Sequence, residues 1–342
     1  MEQSKVTLAS IEAQLADWLR GQSGSGNEVL IAEMMRTILR LQADETSRGD
    51  LKILNRALKE LRYAFKVFSP YRSVRKVSIF GSTHIQEDDP YYQFTKQLAD
   101  RLVREEFMII TGAGPGIMQA GHEGAGREKS FGVNIRLPAV QQSNRFIQGD
   151  PKLMSFHFFF TRKLMFVKEA DAVVIFPGGF GTHDELLESL TLAQTGKSQI
   201  VPILLMDLGD KIYWQEWQRF VREAMQSRGY INGDEFSFFK IITDADTAVH
   251  EIKAFYRNFH SYRFVKRDLV IRLNHPPASG LIDQLNQTFS DILTGDKIKR
   301  TEALLDESDD PGTLHLHRLL VPFNRENFAR LRQMIDVVNR EG

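Results

Sequence analysis

Between residues 162 and 185 the sequence gathers the groups best suited to chemistry on a phosphorylated ligand. Pro177-Gly178-Gly179-Phe180-Gly181-Thr182-His183-Asp184-Glu185 follows the apolar run Asp171-Ala172-Val173-Val174-Ile175-Phe176 and precedes Leu186-Leu187-Glu188-Ser189-Leu190. That order reads as buried strand, glycine-rich turn and helix. Gly178, Gly179 and Gly181 let a ligand approach the backbone, and the N–H groups at a helix start favour a negative charge. Thr182-x-x-Glu185 also fits the helix capping box, in which threonine and glutamate satisfy each other's backbone N–H groups. By itself that motif is structural. Capping does not need the three glycines ahead of it, and they shift the reading toward a phosphate cradle that carries a carboxylate.

The familiar nucleotide signatures fail. Gly112-Ala113-Gly114-Pro115-Gly116 does not complete the dinucleotide fingerprint, because Ile117 stands where its third glycine belongs. Gly196-Lys197-Ser198 resembles the end of a P-loop, but Thr191 occupies the position of the leading glycine. Two glycine turns remain, suited to a smaller phosphorylated ligand.

The elements that must hold these turns alternate between strand and helix. Lys76 to Phe80 reads as a strand stopping at Gly81-Ser82-Thr83. Asp89-Pro90 then offers an N-cap with proline in the first helical turn. Strands are expected at Phe107 to Thr111, Phe131 to Ile135, before the Pro177 turn, at Ile200 to Leu205 and near 239–243, with helices between them. Such alternation with nearly continuous apolar strands predicts a Rossmann-like α/β fold, a doubly wound parallel sheet covered on both faces. Ligands on such sheets bind at the carboxyl ends of the strands, where Gly81, the Gly112 turn and the Gly178 turn all fall.

Residues 1–72 read as a helical N-terminal extension: a first helix near 8–20, the glycine- and serine-rich stretch 21–26, a second helix to about 43 and a third over 50–68. Leu51, Leu54, Leu58, Leu61, Phe65 and Phe68 make an apolar stripe on the third. The central domain is expected over 73–262. Residues 263–342 read as a small α+β appendage, with strands near 269–273 and 314–320 and helices near 281–293 and 325–338.

Arg162-Lys163, Ala170-Asp171-Ala172, Pro177-Gly178-Gly179-x-Gly181-Thr182-x-x-Glu185 and the upstream Thr111-Gly112-Ala113-Gly114-Pro115-Gly116-Ile117-Met118 together resemble the LOG family, long mislabelled as lysine decarboxylases. The resemblance spans about residues 76–258. It implies a nucleoside 5′-monophosphate phosphoribohydrolase, which cleaves the N-glycosidic bond of AMP-like nucleotides, some bearing a cytokinin side chain, to free base and ribose 5-phosphate. It implies Arg162 and Glu185 as the catalytic pair. It further implies Gly81, Ser82, Gly112, Gly114, Gly116, Met118, Lys163, Gly178, Gly179, Gly181 and Thr182 as substrate-binding residues. No metal or organic cofactor is expected, and a homodimer or higher homo-oligomer is. The sequence departs from the family at Ala113, at Phe166 and at Phe159-Phe160, which bears on the choice of base more than on the reaction. A non-catalytic nucleotide-binding or sensing protein of the same superfamily is the alternative, since a fold alone does not decide function.

The chemistry stands beside the name. Breaking a ribosyl N-glycosidic bond builds positive charge on the sugar, which a fixed carboxylate next to C1′ stabilises in the transition state. A helix N-terminus is expected to keep Glu185 ionised, as base or electrostatic partner. Arg162 supplies a fork of donors for phosphate or ribose oxygens. His183 is near the motif but reads as a helix-surface residue, and His315 with His317 as a solvated strand face. Lys plus Arg equals Asp plus Glu at 44 each, so no global field draws in nucleic acid or an anionic membrane. The absence of cysteine excludes disulfides, thiolate zinc sites and cysteine nucleophiles. The first residues lack a signal-peptide pattern and no apolar run reaches roughly 18 residues, so a cytoplasmic protein is expected.

Overall fold

The computed structural model describes residues 13, 14, 17, 27–138, 142–209 and 212–341. Most of the helix expected near 8–20, and all of residues 21–26, lie outside them. The chain divides into two compact units, one ending at Arg62 and one running from Tyr63 to Gly342. The first holds α1 (Glu28–Ala43) and most of α2 (Arg48–Phe68). Ser47 starts α2: its Oγ accepts from the Asp50 N–H at 3.2 Å and donates to the Asp50 carboxylate at 2.7 Å, which satisfies one of the helix's orphan donors.

In the second unit, chain order runs β1 (Lys76–Phe80), α3 (Pro90–Arg104), β2 (Met108–Thr111), α4 (Ile117–Ala125), β3 (Ser130–Ile135), β4 (Leu153–Phe156), α5 (Phe159–Glu169), β5 (Ala172–Ile175) and α6 (Phe180–Gln194). It continues with β6 (Ile203–Met206), α7 (Tyr213–Phe220), β7 (Phe239–Ile242) and α8 (Ala245–Phe255). The seven strands form one parallel sheet in the order β4-β3-β2-β1-β5-β6-β7. This is the expected α/β class. β1, β2, β3, β5 and β6 are buried along their whole length, as their apolar runs require when helices cover both faces. Asp89 caps α3 as anticipated, accepting from the Tyr91 N–H at 2.8 Å with Pro90 in the first turn.

β4 was not anticipated. Its residues alternate between buried and exposed at the sheet edge, and the aromatic run that follows masks so short a strand. The sheet is built outward from β1 through β2 and β3 to β4, and the chain then returns to place β5 on the other side of β1. That reversal makes a crevice beyond the carboxyl ends of β1 and β5, where ligands of such sheets sit.

The rest of the second unit comprises β8 (Phe259–Val265), β9 (Asp268–Leu273), α9 (Leu281–Thr288), β10 (Lys299–Thr301), β11 (His317–Val321) and α10 (Phe328–Glu341). Its strands form an antiparallel sheet in the order β10-β11-β9-β8. The domain boundary expected after residue 262 falls inside β8, which pairs with β9 across a β-bulge. Phe255, Phe259, Leu285, Phe323, Phe328 and Met334 share one apolar core with Ala193 and Ile200 of the central domain. Inside the appendage, Glu307 is wholly buried and accepts at 2.9 Å from both Arg272 and Arg318.

The three turns of the central sheet are locked by backbone contact. Ser82 N–H donates to the Pro177 carbonyl at 3.0 Å, and the Ser82 carbonyl accepts from Ile117 N–H at 3.1 Å. Gly116 caps α4 at φ +67°, and a Cβ there would lie 2.3 Å from the Ser82 carbonyl oxygen. Gly116→Ala combines that clash with a left-handed backbone. It is expected to lower the unfolding free energy by about 1–3 kcal/mol or more, measured by urea denaturation.

Candidate active site

The crevice at the strand reversal holds a cavity of about 320 Å3. Turns after four strands line it: Gly81 to His84 after β1, Gly112 after β2, Asn134, Ile135 and Leu137 at the end of β3, and Gly179, Gly181 and Thr182 after β5. Met118 of α4, Phe159 and Arg162 of α5, and Asp184 and Glu185 of α6 line it as well. Thus Gly81, Ser82, Gly112, Met118, Arg162, Gly179, Gly181, Thr182 and Glu185 are brought together.

Lys163, Gly114, Gly116 and Gly178 are not at the cavity. Lys163 is turned to the neighbouring helix, where its ammonium meets Asp184 at 2.7 Å and Glu188 at 3.2 Å and ties α5 to α6. The Gly114 carbonyl accepts from Asn144 at 3.1 Å behind the turn, and Gly116 packs on Ser82. Gly178 lies beneath the loop: a Cβ would come within 2.2 Å of Thr182 Oγ1 and 2.9 Å of Ser82 N. Its carbonyl accepts from the Tyr213 hydroxyl at 2.5 Å. These residues shape the cradle from behind.

Arg162 is aimed by a backbone acceptor and two rings. Its Nε donates to the Val133 carbonyl at 3.0 Å, and its guanidinium lies 5.2 Å from the Phe166 ring centre and 6.0 Å from that of Phe159. Gly112 makes room for it, since a Cβ there would lie 2.4 Å from Arg162 Nη2. Burial pulls the guanidinium's pKa down, while Glu185 and Asp184 oppose this.

The capping box does not form. α6 begins at Phe180 with Gly179 as N-cap and no side-chain cap, so Thr182 is already inside the first turn and Glu185 belongs to the second. Thr182 N–H instead closes a tight turn on the Gly179 carbonyl at 3.1 Å. Glu185 is therefore released from capping and set into the cavity wall, 7% exposed. The expectation of a firmly ionised Glu185 is corrected as well. Burial pushes its carboxyl up to about 7, against the opposing charges of Arg162 and Lys163. The orphan N–H groups of α6 lie a turn earlier, too far back to hold it ionised.

His183 packs against Tyr213 and Trp214, at ring-centre distances of 5.9 Å and 5.7 Å, and is not at the cavity. His84, Asn134 and Asp184 are there and were not anticipated. The signal for His84 and Asn134 was position, since each follows or ends an expected strand on the carboxyl edge, and Asp184 stands beside Glu185 in the glycine-rich motif. A larger cleft of about 750 Å3, bordered by Asp171, Lys197, Arg263 and Arg272, opens at the opposite, amino edge of the sheet. Its Arg263 and Arg272 are already paired with Asp309, Glu307 and Asp310. Among the described residues, no group of three or more His, Asp or Glu is placed to hold a metal ion. No described helix is long and apolar enough to cross a membrane.

A family model described as possible lysine decarboxylase matches residues 116–252, a span that includes both Arg162 and Glu185. That span holds most of the residues on which the resemblance to the LOG family rests. A pyrimidine/purine nucleotide 5′-monophosphate nucleosidase of Escherichia coli (strain K12) is 28% identical over 157 residues, 41% of this chain and 34% of that protein. The matched part thus spans about a third of that relative's length. From Arabidopsis thaliana, the probable cytokinin riboside 5′-monophosphate phosphoribohydrolase LOG6 is 32% identical over 128 residues, 36% of this chain and 61% of its own. LOG3, a cytokinin riboside 5′-monophosphate phosphoribohydrolase of the same plant, is 27% identical over 184 residues, 52% of this chain and 80% of its own. Among solved structures, the molybdenum cofactor binding protein of Rippkaea orientalis matches 53% of this chain and 96% of its own, with 18% identity and a TM-score of 0.37.

The raised Glu185 pKa has a sign for stability. The folded protein holds this proton more tightly than the unfolded chain does. The resulting stabilisation is full below the unfolded pKa near 4.5 and is lost as pH rises through about 7. Glu185→Gln is expected to gain stability over wild type between pH 5 and pH 8, by on the order of 3 kcal/mol, in paired urea titrations.

Proposed function

We propose that this protein hydrolyses the N-glycosidic bond of nucleoside 5′-monophosphates, releasing free base and ribose 5-phosphate. The observation that carries the reading is the meeting of Arg162 and Glu185 in one crevice with two glycine turns, at the strand reversal. The named activities of the matched relatives support it. Purine monophosphates are the first substrates to test, with pyrimidine and cytokinin-type nucleotides beside them.

In this reading the phosphate sits against Gly179, Gly181 and Thr182, where the Phe180 and Gly181 N–H groups come before the first hydrogen bonds of α6. Arg162 presents its outer guanidinium nitrogens to phosphate or ribose oxygens and holds the sugar against Glu185. As the C1′–N bond breaks, its electron pair leaves with the base and positive charge grows on the ribose. The Glu185 carboxylate stabilises that charge and accepts the proton of the water that attacks C1′. A carboxyl poised near 7 suits a base that must take up and release a proton in each cycle. His84, at the same cavity, is the proposed donor to the departing base. By resemblance the proposal includes a homo-oligomer, which light scattering reads directly.

The test incubates the protein with AMP, GMP, CMP, UMP and the matching nucleosides and follows free base and ribose 5-phosphate. Base release from monophosphates but not from nucleosides is expected. Tight AMP binding with no base released from any of them would leave a nucleotide sensor instead. If turnover is found, kcat/KM should rise with pH along a limb centred near 7. Glu185→Gln should lower kcat by about 10²–10⁴-fold and abolish that limb.

A further inference from the structure

Behind the second glycine turn lies a buried polar cluster that the mechanism above does not use. His122 of α4 is fully buried. Its Nε2 stands 3.0 Å from the Phe131 carbonyl and 3.0 Å from Thr111 Oγ1, and its Nδ1 stands 3.1 Å from Asn144 Nδ2. A carbonyl only accepts, so Nε2 carries the proton and Nδ1 is the acceptor for the Asn144 amide. Burial pushes the imidazole down to about 4, which keeps this arrangement neutral.

Asn144 spends every group it has on the turn or on its own fixing. Its Nδ2 also donates to the Gly114 carbonyl at 3.1 Å, and its backbone N–H donates to the Ala113 carbonyl at 2.8 Å. Its Oδ1 accepts from the Phe146 N–H at 3.2 Å. From the strand side, Thr111 Oγ1 accepts from the Ala113 N–H at 3.0 Å. Ala113 is held at φ +62°, a left-handed conformation that disfavours any residue with a Cβ. The next residue back is Gly112, whose open face abuts Arg162 Nη2 and Met118 Sδ. The position of the turn thus sets how the guanidinium sits.

We propose that Asn144, oriented by His122, is a positioning residue: it holds the strained Gly112-Ala113-Gly114 turn so that Gly112 backs Arg162 in its working geometry. Neither His122 nor Asn144 lines the cavity, so the effect travels through the turn. The proposal rests on the hydrolase reading for its kinetic half only.

Two readouts test it. Hydrogen exchange across residues 108–118 follows the turn without any substrate, and kcat and KM for a nucleoside monophosphate follow Arg162. Asn144→Ala is expected to speed exchange in that segment, to lower kcat by about tenfold or more, and to leave far-UV circular dichroism unchanged. Adding Ala113→Gly should recover part of the lost kcat, because glycine adopts the left-handed turn without strain. A general loss of packing would not be repaired in this way. Unchanged exchange, or kcat within about twofold of wild type in a folded Asn144→Ala protein, overturns the proposal. If that variant does not fold, Asn144→Asp replaces it under the same criteria, since it keeps the Oδ1 acceptor and loses both amide donations. Should wild type release no base, the hydrolase reading falls alone and the exchange comparison decides the role of Asn144.

Discussion

The backbone of one residue, Ser82, holds the candidate site together. The Ser82 N–H binds the turn after β5 and the Ser82 carbonyl binds the start of α4, so three strand ends that are far apart in sequence share a single backbone anchor. Gly81, Gly116 and Gly178 permit it, because a Cβ at any of them would lie within 3.0 Å of a neighbouring turn or helix. The turns along the cavity walls are therefore held main chain to main chain. Such walls lose little entropy when a ligand arrives and present donors in fixed directions.

On this backbone frame the two charged groups are placed by burial. Arg162 comes from α5 and leans on β3 through the Val133 carbonyl, while Glu185 comes from the second turn of α6. Lys163, one residue from Arg162, joins the same two helices through Asp184 and Glu188. The neighbouring basic residues thus divide the work. One faces the cavity, and the other fixes the distance between the helices that carry the pair.

The fold class was legible because parallel strands buried on both faces are written as unbroken apolar runs, and every glycine turn directly follows one. Arg162 and Glu185 were legible only through the resemblance, since a lone helical arginine or glutamate has a plain structural reading. The capping box misled because the T-x-x-E spacing does not say where a helix begins. Gly179 and Phe180 can enter the helix one turn earlier, and then the same spacing has no cap to make. β8 and β10 were missed for a related reason. β8 is interrupted by a bulge and only partly buried, and β10 is three residues long and mostly exposed, so neither shows the apolar period of a strand. Asn144 carries no local signal at all. Its proposed role comes from what the Gly112 turn and α4 place around it.

The corrected helix start also changes what Arg162 is for. Were Glu185 held by the first turn of α6, the helix would keep it ionised and Arg162 would serve the ligand alone. In the second turn the carboxylate loses both solvent and orphan N–H groups, and the guanidinium is the largest influence favouring its charged form. A bound phosphate dianion would act in the opposite sense, as a like charge that raises the carboxyl pKa further. In the proposed reaction Arg162 would face both anions, and its position would decide whether Glu185 is charged when the glycosidic bond begins to stretch. The geometry of Gly112, which determines how closely that guanidinium can lie against the turn, is for this reason part of the electrostatics of Glu185.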